Sequence, residues 1–275
     1  MRSKGKLLIG ILTFIVVLVL SFSYLLPIYV MIMTSLKTPM EISQREYLIP
    51  SVKLHFENYT KAFKLIRSSL LNSTIISFFV TGLSAFLGGL GGYYLSRFRT
   101  RFSRILFILV GIALYLPYQA VLIPLVQFMA KTRLALTHFG LIFSYSILNV
   151  PLASILMGTF FLSIPRELEE AAEMDGATKP QIFFKVVSPV ALPGYASTAI
   201  LVFTQVWNEF LLALTLSTPK TTTIQVKLAE VKGSFVALYN IQMAAAIIGV
   251  VIPILFFLLL GKYFIRGILA GALKG

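Results

Sequence analysis

Apolar residues run in long uninterrupted blocks along this chain rather than in short alternations. Five intervals contain no Asp, Glu, Lys or Arg: Leu7 to Leu36, Ser68 to Ser96, Ile105 to Ala130, Leu134 to Pro165 and Gly233 to Gly261. Each exceeds the roughly 20 residues a helix needs to cross a bilayer core. A sixth interval, Val186 to Pro219, carries the single charge Glu209, and its part from Tyr195 to Ser217 is long enough to span if that carboxylate faces protein or water. The pattern predicts an all-α integral membrane protein, one transmembrane domain with spans near residues 7–35, 69–95, 105–128, 139–162, 195–217 and 241–263. Connections 36–68, 129–138 and 218–240 then lie on one side and the loop 163–194 on the other. Arg2, Lys4 and Lys6 precede the first block as in a secretory signal, but the block is too long and lacks a small-residue cleavage site, so a retained helix is expected.

Composition agrees with that picture. Hydrophobic residues make up 57% and charged residues 12% of the 275, whereas soluble domains carry about 25% charge. With no cysteine there is neither a disulfide framework nor a thiolate site. The net charge of +14 does not point to nucleic acid, because the basic residues flank apolar blocks and form no stripe with stacking aromatics. Of the 24 basic residues, 13 fall on the side of the termini against 11 opposite, a weak preference for cytoplasmic termini helped by the four arginines between Arg97 and Arg104. His55 and His138 have no carboxylate or second histidine at ligand spacing, so no metal site is expected. Gly82, Gly88, Gly89, Gly91 and Gly92 follow no strand and fit no phosphate-loop spacing; close helix packing is the expectation. Pro27, Pro117, Pro124, Pro151 and Pro253 are expected to kink spans.

The connection from Ser163 to Gly194 carries the chemistry. Five of the ten acidic residues, Glu167, Glu169, Glu170, Glu173 and Asp175, lie within nine positions of it. Pro165 suits a first helical turn, acids complement the positive helix N-terminus, and Asp175-Gly176 supplies a stop. Thr178 and Gln181 form a capping box for a second helix carrying Ile182, Phe183, Val186 and Val187, which Pro189 is expected to end. The result is a helix-turn-helix knob. Interfacial helices favour Lys and Arg on their polar face, so this glutamate-bearing one reads as a protein-docking element.

Glu170-Ala171-Ala172, three residues, Gly176, nine residues and Val186-Val187-Ser188-Pro189 resemble the EAA signature of permease subunits of bacterial and archaeal ABC importers, with Ser188 where the family usually has Leu. Glu57-Asn58-Tyr59, Trp207-Asn208-Glu209-Phe210 and the tail from Tyr263 to Gly275 are similar to the smaller, maltose-permease-like subunit of the carbohydrate-uptake branch. The resemblance implies a type I importer permease in the cell membrane of a bacterium or archaeon, with both termini and the 163–194 loop cytoplasmic. Its implied partners are a second, non-identical permease, two ATPase subunits that hold the ATP and Mg, an external sugar-binding protein, lipid and a sugar; nucleic acid is not among them, and this chain binds no cofactor and is no enzyme. By the same resemblance Glu170 pairs with a basic ATPase residue, Ala171 and Ala172 permit close docking, and Gly176 makes the turn, with Asp175, Ala177, Phe183 and Pro189 completing the coupling segment. The tail residues Leu273, Lys274 and Gly275 are implied to reach the ATPases, and the loop from Thr218 to Asn240 to act on the binding protein.

Two readings of Trp207, Asn208 and Glu209 stay open: a solute path with Trp207 stacking on a sugar ring, or a hydrogen-bonded helix-packing cluster. The rival function is an ion-coupled secondary carrier, for which buried carboxylates and broken helices are expected and only Glu209 qualifies. Within the importer reading the solute is a sugar or a relative of one such as glycerol phosphate.

Overall fold

The computed structural model describes residues 2–44, 47–51, 53–98, 100–232 and 238–272, with side chains described between residues 10 and 263 apart from 232. All regular structure among them is helical. In chain order the helices are α1 (Arg2–Ser35), α2 (Pro39–Ser43), α3 (Glu57–Arg97), α4 (Arg101–Tyr115), α5 (Tyr118–Lys131), α6 (His138–Ser163), α7 (Glu167–Met174) and α8 (Lys179–Gln181). A π-helical segment, Ile182–Val187, leads into α9 (Ser188–Val190), followed by α10 (Leu192–Asn208), α11 (Leu211–Leu216), α12 (Ile224–Lys232) and α13 (Tyr239–Ala272).

Among the described residues, four helices are long and apolar enough to cross a membrane by themselves: Gly10–Ser35, Glu57–Arg97, His138–Ser163 and Tyr239–Tyr263. Two bent pairs, Arg101–Tyr115 with Tyr118–Lys131 and Lys179–Val190 with Leu192–Asn208, raise the total to six if each counts as one span. The pairs bend by 101° and 75°. The 105–128 stretch is therefore no continuous rod: Leu116 and Pro117 are extended, and Pro117, having no N–H to donate, begins a new helix direction. Pro27, Pro124, Pro151 and Pro253 instead sit inside their helices. Two connections differ from expectation as well. The 36–68 stretch is already helical from Glu57, and 218–240 contains α12.

The chain divides into two compact units, Met1–Arg67 with Leu228–Val250, and Ser68–Lys227 with Val251–Gly275. In the first, the end of α1 is tied off by amides. A helix C-terminus leaves carbonyls unpaired; Asn58 Nδ2 donates to the carbonyls of Ser35 (2.9 Å) and Lys37 (3.0 Å), and Asn240 Nδ2 to Lys37 O (3.2 Å) and Asn58 Oδ1 (3.1 Å). The Tyr59 hydroxyl reaches Ser35 Oγ at 2.8 Å. Asn58 and Tyr59 of the Glu57-Asn58-Tyr59 triplet thus clamp the end of the preceding helix. Nearby, the Ser51 hydroxyl and the amide and hydroxyl of Thr38 hold the Glu41 carboxyl down at about 2, in a capping box that starts α2.

In the second unit α6 is the central element, packing on α4 and α10 and meeting α3 along a seam of small residues. A Cβ on Gly88 would stand 2.4 Å from Ala153 Cβ, and one on Gly92 would stand 2.6 Å from both Gly158 N and Ser154 O. Helices in lipid associate through such close contact, since lipid tails supply no hydrophobic drive between them. Gly89 lies against the Tyr195 ring, whereas a Cβ on Gly82 would meet nothing of this chain within 4 Å. An apolar cluster of Ile76, Val80, Leu141, Tyr145, Val202, Val206 and Leu212 fills the space between α3, α6, α10 and α11.

Candidate functional site

Two places in the second unit combine buried polar chemistry with exposed surface. The first is the 163–194 loop. Helix α7 begins at Glu167, two residues after Pro165, with Glu167, Glu169 and Glu170 in its first turn. It stops at Asp175 because Gly176 adopts φ +80, a left-handed conformation that costs a side chain about 1–2 kcal/mol. The turn closes through Gly176 N–H to Glu173 O (3.0 Å) and Ala177 N–H to Ala172 O (3.0 Å), a left-handed glycine C-terminus. Thr178 and Gln181 make the capping box, with the Thr178 amide donating to Gln181 Oε1 at 2.8 Å. Lys179 also pairs with Glu173 across the turn.

Pro189 does not end the second limb. The chain passes from the π segment into α9 and α10, with Pro189 in the first turn of α9. Proline removes one backbone donor and crowds the carbonyl four residues before it, and the wider π turn immediately ahead is the local form that relieves both. The loop's second limb therefore runs on into α10 through a 75° bend.

The two faces of α7 differ. Glu170, Ala171 and Met174 are exposed, Met174 at 89%. Ala172 and Ala177 turn inward onto a cluster of Tyr93, Met157, Phe161, Ile164, Ile182, Phe183, Val187 and Ala191. Of the coupling residues expected from sequence, Glu170, Ala171, Asp175 and Gly176 lie at the surface, whereas Ala172, Ala177 and Phe183 brace the element from behind and Pro189 sits exposed at its root. Sequence reasoning missed the acid that matters internally. Glu169 Oε1 accepts from Arg97 Nε at 2.6 Å and Oε2 from the Tyr93 hydroxyl at 2.7 Å, while Arg97 Nη2 donates to Ile164 O at 3.0 Å. Both charged side chains are nearly buried, 7% and 12% exposed. The tail residues Leu273, Lys274 and Gly275 lie outside the described residues.

The second place surrounds Glu209. Helix α10 ends at Asn208, Glu209 is extended, and α11 starts two residues later. The carboxylate caps the new helix: Oε1 accepts from Leu212 N–H (2.8 Å) and Oε2 from Ala213 N–H (3.2 Å). The Tyr118 hydroxyl donates to Oε1 (3.2 Å) and that of Tyr145 to Oε2 (2.6 Å). Four donors therefore converge on one acid, which accounts for both the break in the helix and the tolerance of a carboxylate there. Glu209 lines a cavity of about 970 Å³ whose polar wall also includes Tyr118, Gln119, Asn149, Gln205 and Asn208. Trp207 does not line it. Its ring is 4% exposed and stacks on Phe203 at 5.6 Å, which stacks on Phe256 at 4.0 Å. Glu209→Gln will place an NH2 group against donors, and melting of the purified protein will report a loss of about 1–3 kcal/mol; unchanged melting would show that the four bonds are not all made.

The loop after α11 is tied down by a polar relay. Asn72 Nδ2 donates to Lys220 O and Thr222 O, both at 3.0 Å, and Ile224 N–H donates to Ser73 Oγ at 2.8 Å. Because the Asn72 amide nitrogen is the donor, its Oδ1 accepts, so His138 Nε2, 2.9 Å away, carries the proton. His138 thus orients Asn72, and His55 pairs with Glu57 at 2.7 Å.

The family model described as "Binding-protein-dependent transport system inner membrane component" matches residues 82–270. The chain is 34% identical to the glucose import system permease protein of Saccharolobus solfataricus, covering 94% of this chain and 93% of that one. It is 38% identical to a probable ABC transporter permease protein of Pyrococcus horikoshii, covering 96% and 97%. Among solved structures it superposes with a TM-score of 0.80 and 25% identity, over 94% of this chain and 96% of that one, on a chain of a bacterial ABC transporter involved in import of the acidic polysaccharide alginate.

Proposed function

The chain belongs to the binding-protein-dependent inner-membrane permeases of ABC transporters, and from that premise we propose that it is one permease subunit of an ATP-driven sugar importer. It works with a second, non-identical permease, two ATPase subunits that hold ATP and Mg, and an external binding protein that delivers the sugar. The observation that carries the reading is α7: an acid-headed surface helix, closed by a left-handed glycine and braced from behind, with Glu170, Ala171 and Met174 open to a partner. A permease without a nucleotide site must receive work by contact. An ATPase seated on α7 pushes the loop, and because its second limb continues into α10 the push reaches a membrane helix directly. ATP hydrolysis is the partner's reaction, and no catalytic residue is assigned to this chain. The termini and the 163–194 loop face the cytoplasm of a bacterial or archaeal cell.

The cavity beside Glu209 supplies this chain's wall of the solute path. Its amides, Gln119, Asn149, Gln205 and Asn208, suit hydroxyl groups. Trp207, packed on Phe203, serves helix packing. The glucose transporter relative from Saccharolobus solfataricus supports a sugar as solute. In proteoliposomes holding the complex purified through this chain, vanadate is expected to stop uptake of radiolabelled sugar while an imposed proton gradient persists. Uptake that follows the gradient and ignores vanadate would overturn the importer reading in favour of a secondary carrier.

A further inference from the structure

Resting on the coupling role of α7 proposed above, we propose that Arg97, Glu169 and Tyr93 form a positioning strut that makes α7 and the last turn of α3 move as one body. Displacement imposed on the loop is then delivered to α3 as well as to α10. The geometry requires more than an ordinary surface pair. Arg97, the final residue of α3, engages two separate points of the loop at once: Nε holds the Glu169 carboxylate on α7 and Nη2 holds Ile164 O, the residue that caps α6. Tyr93, one turn earlier on the same helix, donates to the second oxygen of Glu169. Three donors from one helix end thus fix one carboxylate and one carbonyl, leaving α7 little freedom to roll or slide on α3. The pair is nearly buried, so salt and water screen it weakly.

Around this polar strut the contacts are aromatic and slidable. Tyr93 meets Phe161 edge-on at 5.6 Å and Phe183 tilted at 5.0 Å. Such ring contacts hold elements together but tolerate rotation, whereas a bidentate guanidinium has fixed directions. Division of labour follows. The apolar cluster keeps the loop attached, and the strut fixes its angle. Glu169 is therefore assigned inward, to α3, and Glu170, exposed beside it, outward.

The chain contains no cysteine, so in a complex whose other subunits are made cysteine-free, paired spin labels can be introduced at Leu168 on α7 and Leu90 on α3, neither of them among the residues offered to the ATPase. In the wild-type complex the label distance will be narrow and equal in nucleotide-free and ATP-vanadate-trapped states. In Arg97→Gln and Glu169→Gln it will broaden, and sugar moved per ATP hydrolysed will fall about tenfold while the ATPase still copurifies. The double variant will be no worse than the poorer single, because each single already breaks the same unit. Arg97→Lys, which keeps the charge but cannot hold both acceptors, will assemble normally and give an intermediate distribution. A wild-type distance that changes between states, variants with wild-type distances and yields, or single effects that multiply in the double variant would each overturn the strut. Failure of the importer reading is separate: it appears as wild-type uptake indifferent to vanadate, while the nucleotide-free label distances still decide whether the strut exists.

Discussion

Replacing Gly176 by proline will abolish uptake while leaving the membrane helices folded. Proline is locked near φ −65°, and Gly176 stands at +80. Proline also lacks the N–H that closes the turn onto Glu173 O. Helix α7 then loses its stop, the capping box at Thr178 loses its register, and Glu170 and Ala171 leave the surface offered to an ATPase. The measurement is copurification of the ATPase together with vanadate-sensitive sugar uptake, both expected to fall more than about tenfold, a loss of at least about 1.4 kcal/mol in docking. Gly176→Asn is the control, since asparagine enters the left-handed region with a small penalty; it will retain most uptake. If the proline variant still carried its ATPase and transported normally, α7 would not be the docking element.

The largest effect on folding is expected from Gly92→Leu. A Cβ alone at Gly92 would lie 2.6 Å from two backbone atoms of α6, and backbone cannot swing aside as a side chain can. Leucine must therefore push α3 and α6 apart along the seam that also holds Gly88 against Ala153. Overpacking of a tight core costs about 1–3 kcal/mol even when side chains can yield; here they cannot, so loss of the folded chain from detergent extracts is expected. Gly82→Leu, at a position where an added Cβ meets nothing within 4 Å, is the matched control and will be extracted like the wild type. Equal extraction of the two variants would show that α3 and α6 do not approach as closely as described.

Much of this protein is written in short-range sequence pattern. Burial in lipid forces an apolar run of helical length at every crossing, so the spans are legible without any knowledge of their neighbours. The turn of the 163–194 loop is legible for a similar reason, since Asp175-Gly176 and Thr178 to Gln181 act over one helical turn and need no partner elsewhere. The breaks were less legible. Pro117 signals a kink but not a 101° bend, and the interruption after Asn208 depends on where Glu209 finds its hydrogen bonds.

What sequence cannot reveal is which polar groups meet across long separations. The EAA resemblance singles out Glu170 and gives Glu169 no role; only the fold brings Arg97, 72 positions away, to Glu169 and leaves Glu170 in solvent. Glu209 is a bare carboxylate on paper; only the fold brings Tyr118, 91 positions away, and Tyr145, 64 positions away, to its oxygens and places it in the wall of a cavity. Sequence by itself determined the membrane class, the number of apolar blocks and the place of the acid-rich helix-turn-helix loop, because hydrophobic length and turn chemistry are local properties. Tertiary structure alone decided which acid faces inward, which glycines form the seam and where the helices break, because hydrogen bonds and close packing are set by the partner that arrives, not by the residues adjacent in the chain.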